Sequence, residues 1–342
     1  MSAKIEEFYI KNKVFVQKDD TIKELESSPL INVKELPDGI RSFNFKREVF
    51  YGNKFDSLNI KARGLFVYYD NTIAARSYDK FFNVYMNNSK PEDSDYQDTY
   101  IENIKNKITF PAQVYLKYNG YLGLLSWNKV SNDWLIASKS TTEKEFAGLF
   151  RELLSKKGIL NDTIKQYIID NNVTLIFEVI DIDNDPHFIE YDESNCILLD
   201  IIKNDFKNDF LSYSELVSLS ERWGLKCKEL ITTINSYDEL INFLQIYESY
   251  DCPEHIEGFV IIDKNGYMIK YKTYYYRFWK KCRRILQILS SGNVILLPNK
   301  IPSDELSFYN WLLKHKEECI NSENVSIITI RNHYIKDICK EE

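Results

Sequence analysis

The 342-residue chain lacks a surplus of positive charge: 44 Lys and Arg stand against 51 Asp and Glu, a net −7. Proteins that coat nucleic acid nonspecifically neutralise phosphates with excess Lys and Arg, so that class is disfavoured and any phosphate site must be local. Paired cysteines are also lacking. Cys196, Cys227, Cys252, Cys282, Cys319 and Cys339 are scattered, with no CxxC and no Cys/His pair at ligand spacing. Neither a zinc site nor a disulfide framework is implied, and the thiols read as reduced. No apolar run approaches the roughly 18 residues of a spanning helix, and Met1 to Glu7 holds no hydrophobic leader core. These absences disfavour secretion and membrane spanning and lead us to expect a soluble, intracellular, cytoplasmic protein.

What is present begins with length. The chain exceeds the usual domain of about 100–200 residues, so one large catalytic domain with an appendage is expected. We place the boundary at 274/275, where a strand pattern gives way to a helical one. With 24 Tyr and 20 Phe the chain is unusually aromatic; core packing accounts for most of these rings, with base stacking as the other use. A local basic excess (Lys264, Lys270, Lys272, Arg277, Lys280, Lys281, Arg283, Arg284) stands against the single acid Asp263 just before it.

The stretch from Gln113 to Trp127 reads as strand, tight loop, strand, with Asn119-Gly120 supplying turn chemistry that tolerates positive φ. It sets Lys117 at a strand's end facing a loop; a lysine there is ordinarily a solvated charge. Val173 to Asp181 reads as a strand in which Glu178 shares a face with Ile176 and Ile180, and a carboxylate there needs a cation, a metal or hydrogen-bond donors. A structural ion pair is the plain alternative. Glu257-Gly258 enters a second apolar strand, Lys264-Asn265-Gly266 turns it back, and Lys270 and Lys272 project from one face of the return. Two such lysines repel unless an anion sits between them, or else they guard a sheet edge. Upstream, Arg63-Gly64 and Lys80-Phe81-Phe82 offer cations and rings. Elsewhere the pattern predicts strands at 42–51, 134–139, 187–191 and 196–202, and an exposed loop running into a helix at 87–107. Helices are predicted at 143–170 (Thr142 capping with Glu145), 212–223, 236–247 and from 303 through 313, followed by a short tail.

The ordered set Arg-Gly, Lys-x-Phe, Lys-x-Asn-Gly, Lys139, Glu in a strand, Glu-Gly and Lys-x-Lys resembles the covalent nucleotidyltransferase superfamily of DNA and RNA ligases and capping enzymes. Within it the chain is similar to the RNA ligase 1 family of T-even phages and the adenylyltransferase domain of fungal tRNA ligases. The resemblance covers about residues 40–275. It implies an α+β fold, with antiparallel sheets forming an ATP cleft, flanking helices, an adenylyltransferase domain over 1–274 and a small helical domain over 275–342. Asn119 departs from the Asp that the phage enzymes carry, and fungal tRNA ligases share the Asn.

The resemblance further implies an ATP-dependent RNA ligase that joins 5′-phosphate and 3′-hydroxyl ends through a lysyl-AMP and an adenylylated RNA. Lys117 is then the nucleophile, its pKa lowered from about 10.4 by burial and neighbouring cations. Lys270 and Lys272 stabilise the α-phosphate. Glu178 and Glu257 hold Mg²⁺, with Mn²⁺ as a substitute. Arg63, Lys80, Phe82, Leu116, Asn119, Gly120 and Lys139 contact ATP. The expected partners are RNA ends, cleaved tRNA among them, with a separate kinase or phosphatase to heal the ends and no membrane. A DNA ligase or capping guanylyltransferase is the rival within the superfamily, yet both usually carry an all-β domain where residues 275–342 read as helices. A noncatalytic RNA-binding protein on this fold would have lost at least one of the five central residues.

Overall fold

The computed structural model describes residues 20–86, 96–143, 145–184, 187, 189–207, 210–252, 254–291, 301, 303–320 and 326–341. Three sheets form the frame. The first is an antiparallel meander of β1 (Ile31–Leu36), β2 (Ile40–Phe45), β3 (Leu65–Tyr68) and β4 (Ile73–Arg76). Its Phe43, Leu65 and Val67 bury Ile22 and Leu25 of the helix Asp20–Ser27, while Phe66, Tyr68 and Ala75 face the second sheet.

Before the second sheet the chain contributes β5 (Phe82–Tyr85), β6 (Thr99–Tyr100) and β7 (Ala112–Lys117) to the third. The second sheet then runs β12-β11-β10-β8-β9 in space, from β8 (Tyr121–Asn128), β9 (Asp133–Ala137), β10 (Val173–Ile180), β11 (Asn195–Lys203) and β12 (Lys226–Cys227). The period of two in β10 is visible in what each side chain touches. Leu175, Phe177 and Val179 pack on Phe150, Leu154 and Ile168 of the helices Glu145–Lys156 and Asp162–Asn171, whereas Ile176 joins the cluster against the first sheet. Glu178 shares the face of Ile176.

The third sheet is completed by β13 (Leu230–Ile234), β14 (Gly258–Asp263) and β15 (Met268–Lys272), in the spatial order β13-β7-β14-β15-β5-β6. The pairs β15/β5, β5/β6 and β11/β12 are parallel, so the sheets are largely but not wholly antiparallel. Val114, Phe259, Ile261, Ile269 and Tyr271 point into a core shared with the helices Tyr237–Gln245, Tyr274–Ser291, Ser303–Lys314 and Ile327–Glu341. The opposite face of β7, β14 and β15 is therefore left for Lys117, Lys270 and Lys272.

Several boundaries differ from the sequence reading. Residues 42–51 are not one strand: β2 ends at Phe45 and the helix Arg47–Tyr51 follows. The single helix expected over 143–170 is two, because Asn161 caps the second by accepting a hydrogen bond from the Ile164 amide at 3.1 Å. Residues 87–95, and the Glu145 side chain that the Thr142–Glu145 box needs, lie outside what is described. No strand forms among the described residues of 187–191, and the expected tail is the helix Ile327–Glu341.

The largest difference is at Lys117. Strands β7 and β8 are not a hairpin; they belong to different sheets, and Tyr118-Asn119-Gly120 carries the chain between them. Neither Asn119 nor Gly120 has positive φ. Glycine is needed at 120 for closeness instead: a Cβ there would lie 2.1 Å from the Val179 carbonyl oxygen.

Candidate active site

The register of the third sheet sets Lys117, Gly258 and Lys272 in one row across β7, β14 and β15, and Tyr115, Val260 and Lys270 in the next row on the same face. Gly258 lets the strands meet, since a Cβ at its φ of +151° would lie 2.0 Å from the Tyr271 carbonyl oxygen. With no side chain between the two lysines, the residue before it fills the gap. Glu257, 3% exposed, holds one carboxylate oxygen 3.1 Å from Lys117 Nζ and 2.8 Å from Lys272 Nζ. The Thr273 amide fixes that turn by donating to the Glu257 carbonyl at 3.1 Å.

Glu178 arrives from the second sheet. Its Oε1 accepts the Gly120 amide at 3.0 Å, so the close passage of Gly120 over Val179 and the placing of Glu178 are one feature. The Asn119 amide donates to Tyr191 Oη at 2.7 Å. The Asn119 side-chain oxygen is buried with no hydrogen-bond partner among the described residues.

Between the sheets lies a cavity of about 380 Å³ whose walls include Arg63, Lys80, Leu116, Lys117, Gly120, Lys139, Glu178, Glu257, Lys270 and Lys272. Ten of the twelve residues singled out from the sequence thus meet in one place. Asn119 lies instead in an adjoining groove of about 640 Å³, which runs from Lys117 and Lys272 past His187 to Lys280, Lys281, Arg283 and Arg284. Phe82 does not line the cavity. Its ring is buried 5.1 Å from that of Phe55 and carries Lys80 Nζ 4.0 Å above it, because its side of β5 faces away; Phe81 lines the cavity instead. A larger cavity of about 860 Å³, near Tyr68, Asn172 and Phe206, contains none of these residues.

Sequence reasoning missed Lys228, which lines the cavity 4.5 Å above the Tyr115 ring and pairs with Asp200 at 3.1 Å. The usable signal was Asp200, an acid inside the apolar run of β11, the same oddity that marked Glu178. Tyr191 had no signal, since its contact with Asn119 depends on an irregular segment.

The site is electrostatically divided. Burial and Lys272 pull the pKa of Lys117 down, but Glu257 and Glu178 outweigh them and hold it above its ordinary value. This corrects the expectation of a lowered nucleophile: Glu257, 3.1 Å away, and Glu178 together outweigh burial and Lys272. Burial alone would raise Glu257, yet Lys117 and Lys272 keep it below the usual carboxylate range, whereas burial prevails at Glu178 and pushes it up. On the other wall burial, Lys80 and Arg63 push Lys270 well below the ordinary lysine value. Lys80 is lowered to about 8, by burial first and with Arg63 and Lys139 adding to it.

Among the described residues, Arg63, Lys80, Lys139 and Lys270 form no ion pair. Four cations with no carboxylate paired to them among the described residues are thus crowded around one cavity, an arrangement that an incoming polyanion relieves. An anion beside Lys80 and Lys270 raises both pKa values, so binding of inorganic triphosphate near pH 8 should take up protons. Calorimetric titrations in two buffers of different ionisation enthalpy measure that exchange. Proton release, or none, would mean that these amines do not face the anion.

The comparisons with known proteins agree with this geometry. The family model described as RNA ligase, of the T4 type 1 group, matches residues 61–280. A tRNA ligase of Candida albicans is 27% identical over 343 residues, an alignment that covers 84% of this chain and 39% of that protein, so the chain spans about two fifths of the relative's length. An archaeal ATP-dependent RNA ligase superposes with a TM-score of 0.54 at 15% identity, over 98% of this chain and 82% of that one. A putative ATP-dependent DNA ligase from Aquifex aeolicus gives 0.51 at 13%, over 94% and 78%. These two likenesses establish the nucleotidyltransferase fold, and the match over 61–280, which takes in Arg63, Lys117, Glu178, Glu257 and the Lys270/Lys272 pair, places the chain in the RNA ligase 1 family.

Proposed function

We propose that the chain is an ATP-dependent RNA ligase that seals 5′-phosphate to 3′-hydroxyl RNA ends. The observation that carries this reading is the convergence of Lys117 and Lys272 on the Glu257 carboxylate, beside four cations with no ion-pair partner among the described residues. In the first step the free amine of Lys117 attacks the α-phosphate of ATP, a P–N bond forms, and pyrophosphate leaves with the P–O electron pair. The RNA 5′-phosphate then attacks the same phosphorus and frees Lys117. The 3′-hydroxyl attacks the activated 5′-phosphate, and AMP departs.

Before the first step Lys117 must lose a proton that Glu257 and Glu178 favour. Glu178 makes no ion pair among the described residues and its pKa is raised by burial, so it is the carboxylate that best fits a divalent cation such as Mg²⁺. Bound there, the cation would neutralise phosphate charge and offset the pull of Glu178 on the Lys117 proton. Glu257 serves better as a clamp, because one of its oxygens already faces two ammonium groups. Lys272 and Lys270 stabilise charge on the α-phosphate, and Arg63, Lys80 and Lys139 hold the outer phosphates. Phe82 supports Lys80 from below rather than stacking on the nucleotide. This machinery lies within 1–274, and the described helices that follow, Tyr274–Ser291, Ser303–Lys314 and Ile327–Glu341, share the core of the third sheet. Broken tRNA as substrate is in keeping with the name of the Candida relative, a tRNA ligase, and separate enzymes that heal its ends complete the proposal.

Labelled ATP with Mg²⁺ should give a protein–AMP adduct that pyrophosphate reverses and Lys117→Ala abolishes, with GTP labelling poorly; an adduct on Lys117→Ala would refute the assignment. Lys272→Ala should slow adenylylation by about 10²–10³-fold. Losing that cation also raises the pKa of Lys117, so the variant should recover partly at higher pH. Near-normal adenylylation would remove Lys272 from the site.

The basic groove fits the incoming RNA strand, since Lys280, Arg283 and Arg284 project from one helix toward Lys117. Replacing Arg283 and Arg284 by Ala should weaken sealing about tenfold or more and flatten its salt dependence while adenylylation stays near normal. Equal loss of both steps would mean that the groove serves ATP instead.

A further inference from the structure

A second cluster of ligating side chains lies outside the active site, where the helices Ser303–Lys314 and Ile327–Glu341 meet. The helices are joined by the ring of Trp311, 5.4 Å from Tyr334 and 5.1 Å from His333. Just past the end of the first helix, His315 Nδ1 lies 3.0 Å from the Trp311 carbonyl oxygen. The ring must donate there, which leaves the Nε2 lone pair of a neutral imidazole free. That nitrogen is 3.6 Å from Asp337 Oδ2. His333, one turn before Asp337 on the same helix, places its own Nε2 3.3 Å from that oxygen.

An acceptor nitrogen facing a carboxylate oxygen is repulsive unless a proton or a metal ion lies between them. The three ligand atoms lie within 4.8 Å of one another. A tetrahedral zinc site with ligands at about 2.0–2.1 Å has donor-to-donor edges of about 3.3–3.4 Å. Two of the three edges, at 3.3 and 3.6 Å, are close to that length, and the third is no longer than 4.8 Å, so closure onto an ion asks for a small contraction of the cluster. The surrounding contacts hold the ligands as outer groups hold them in known metal sites. The Trp311 carbonyl sets the His315 tautomer, and the Trp311 indole N–H donates to Asp337 Oδ2 at 3.2 Å.

We propose that His315, His333 and Asp337 form a zinc site that clamps the last helix onto the one before it. Two imidazoles and one carboxylate suit Zn²⁺, with Co²⁺ or Ni²⁺ as substitutes, and leave a fourth position for water. Mg²⁺ and Ca²⁺ prefer all-oxygen ligands and are poor fits. The ligands are 18 and 4 residues apart, so no spacing rule marks them in sequence. The clamp also tightens the active site's footing, because Phe308, Trp311 and Tyr334 belong to the core beneath β14 and β15.

The test titrates metal-free full-length protein with Co²⁺ at neutral pH, following the visible absorption of four-coordinate cobalt and the quenching of Trp311, then displaces the cobalt with Zn²⁺. One equivalent should bind with that spectrum, and Zn²⁺ should raise the melting temperature. His333→Ala and His315→Gln should each abolish the spectrum and the thermal shift, whereas Glu178→Gln, at the ligase centre, should keep both. Circular dichroism identifies a variant that has failed to fold, and His333→Ala, at a partly exposed position, guards against that loss. No four-coordinate spectrum in the parent protein, or a spectrum that survives both histidine changes, would overturn the proposal and leave the cluster as plain packing contacts between the two helices. Neither readout involves adenylylation, so the proposal stands or falls apart from the ligase reading.

Discussion

The carboxylate of Glu257 is the interaction on which the rest of the site depends. It is almost fully buried, and a lone charge there would cost several kcal/mol. Lys117 and Lys272 offset that cost from two different strands. Because β7, β14 and β15 are neighbours only through backbone pairing, the three charges report on the register of the whole third sheet. A slip by one residue would turn both lysines into the helix-packed core. The apolar residues between them, Val114, Phe259, Ile261 and Tyr271, hold that register by filling the other face.

In the proposed mechanism the same clamp keeps Lys117 from attacking before the site is charged with its ligands. Lys117 is held protonated by the groups that position it, so nucleophilicity must come from whatever draws charge away from Glu257 and Glu178. The other wall has the opposite bias, with Lys270 and Lys80 lowered by crowding and burial. A polyphosphate relieves the second wall, and a cation at Glu178 relieves the first. Substrate and metal are then each favoured by a separate imbalance that the empty protein cannot remove on its own. The two glutamates, one raised and one lowered, fit the two roles proposed for them, metal ligand and lysine clamp.

Much of the site was legible because its residues break local rules. Glu178 and Glu257 are acids entering apolar strands, and Lys270 and Lys272 put like charges on one face; each oddity needs a partner. Glu257 has Lys117 and Lys272, Glu178 has the Gly120 amide, and Lys270 has no ion-pair partner among the described residues. The family resemblance supplied the order that single motifs lacked. The connection after Lys117 was not legible, since Asn119-Gly120 is good hairpin chemistry and nothing local says that the next strand joins another sheet. Phe82 was misplaced for a similar reason: a ring beside a lysine suggests stacking, but which face of a four-residue strand looks into a cleft is set by β15, nearly two hundred residues away. The grouping of His315 with His333 and Asp337 arises only from helix packing.

The central claim is that Glu257 holds Lys117 protonated until the site is charged with its ligands. Competitive labelling with an amine-reactive acylating reagent across pH, read by mass spectrometry at Lys117, gives that pKa directly. The account predicts a value above the ordinary lysine range in the ligand-free protein and a clear fall in Glu257→Gln, where burial and Lys272 would act unopposed by the nearer carboxylate. A Lys117 that already titrates near neutrality in the ligand-free protein, or one whose pKa is unmoved by Glu257→Gln, would contradict it.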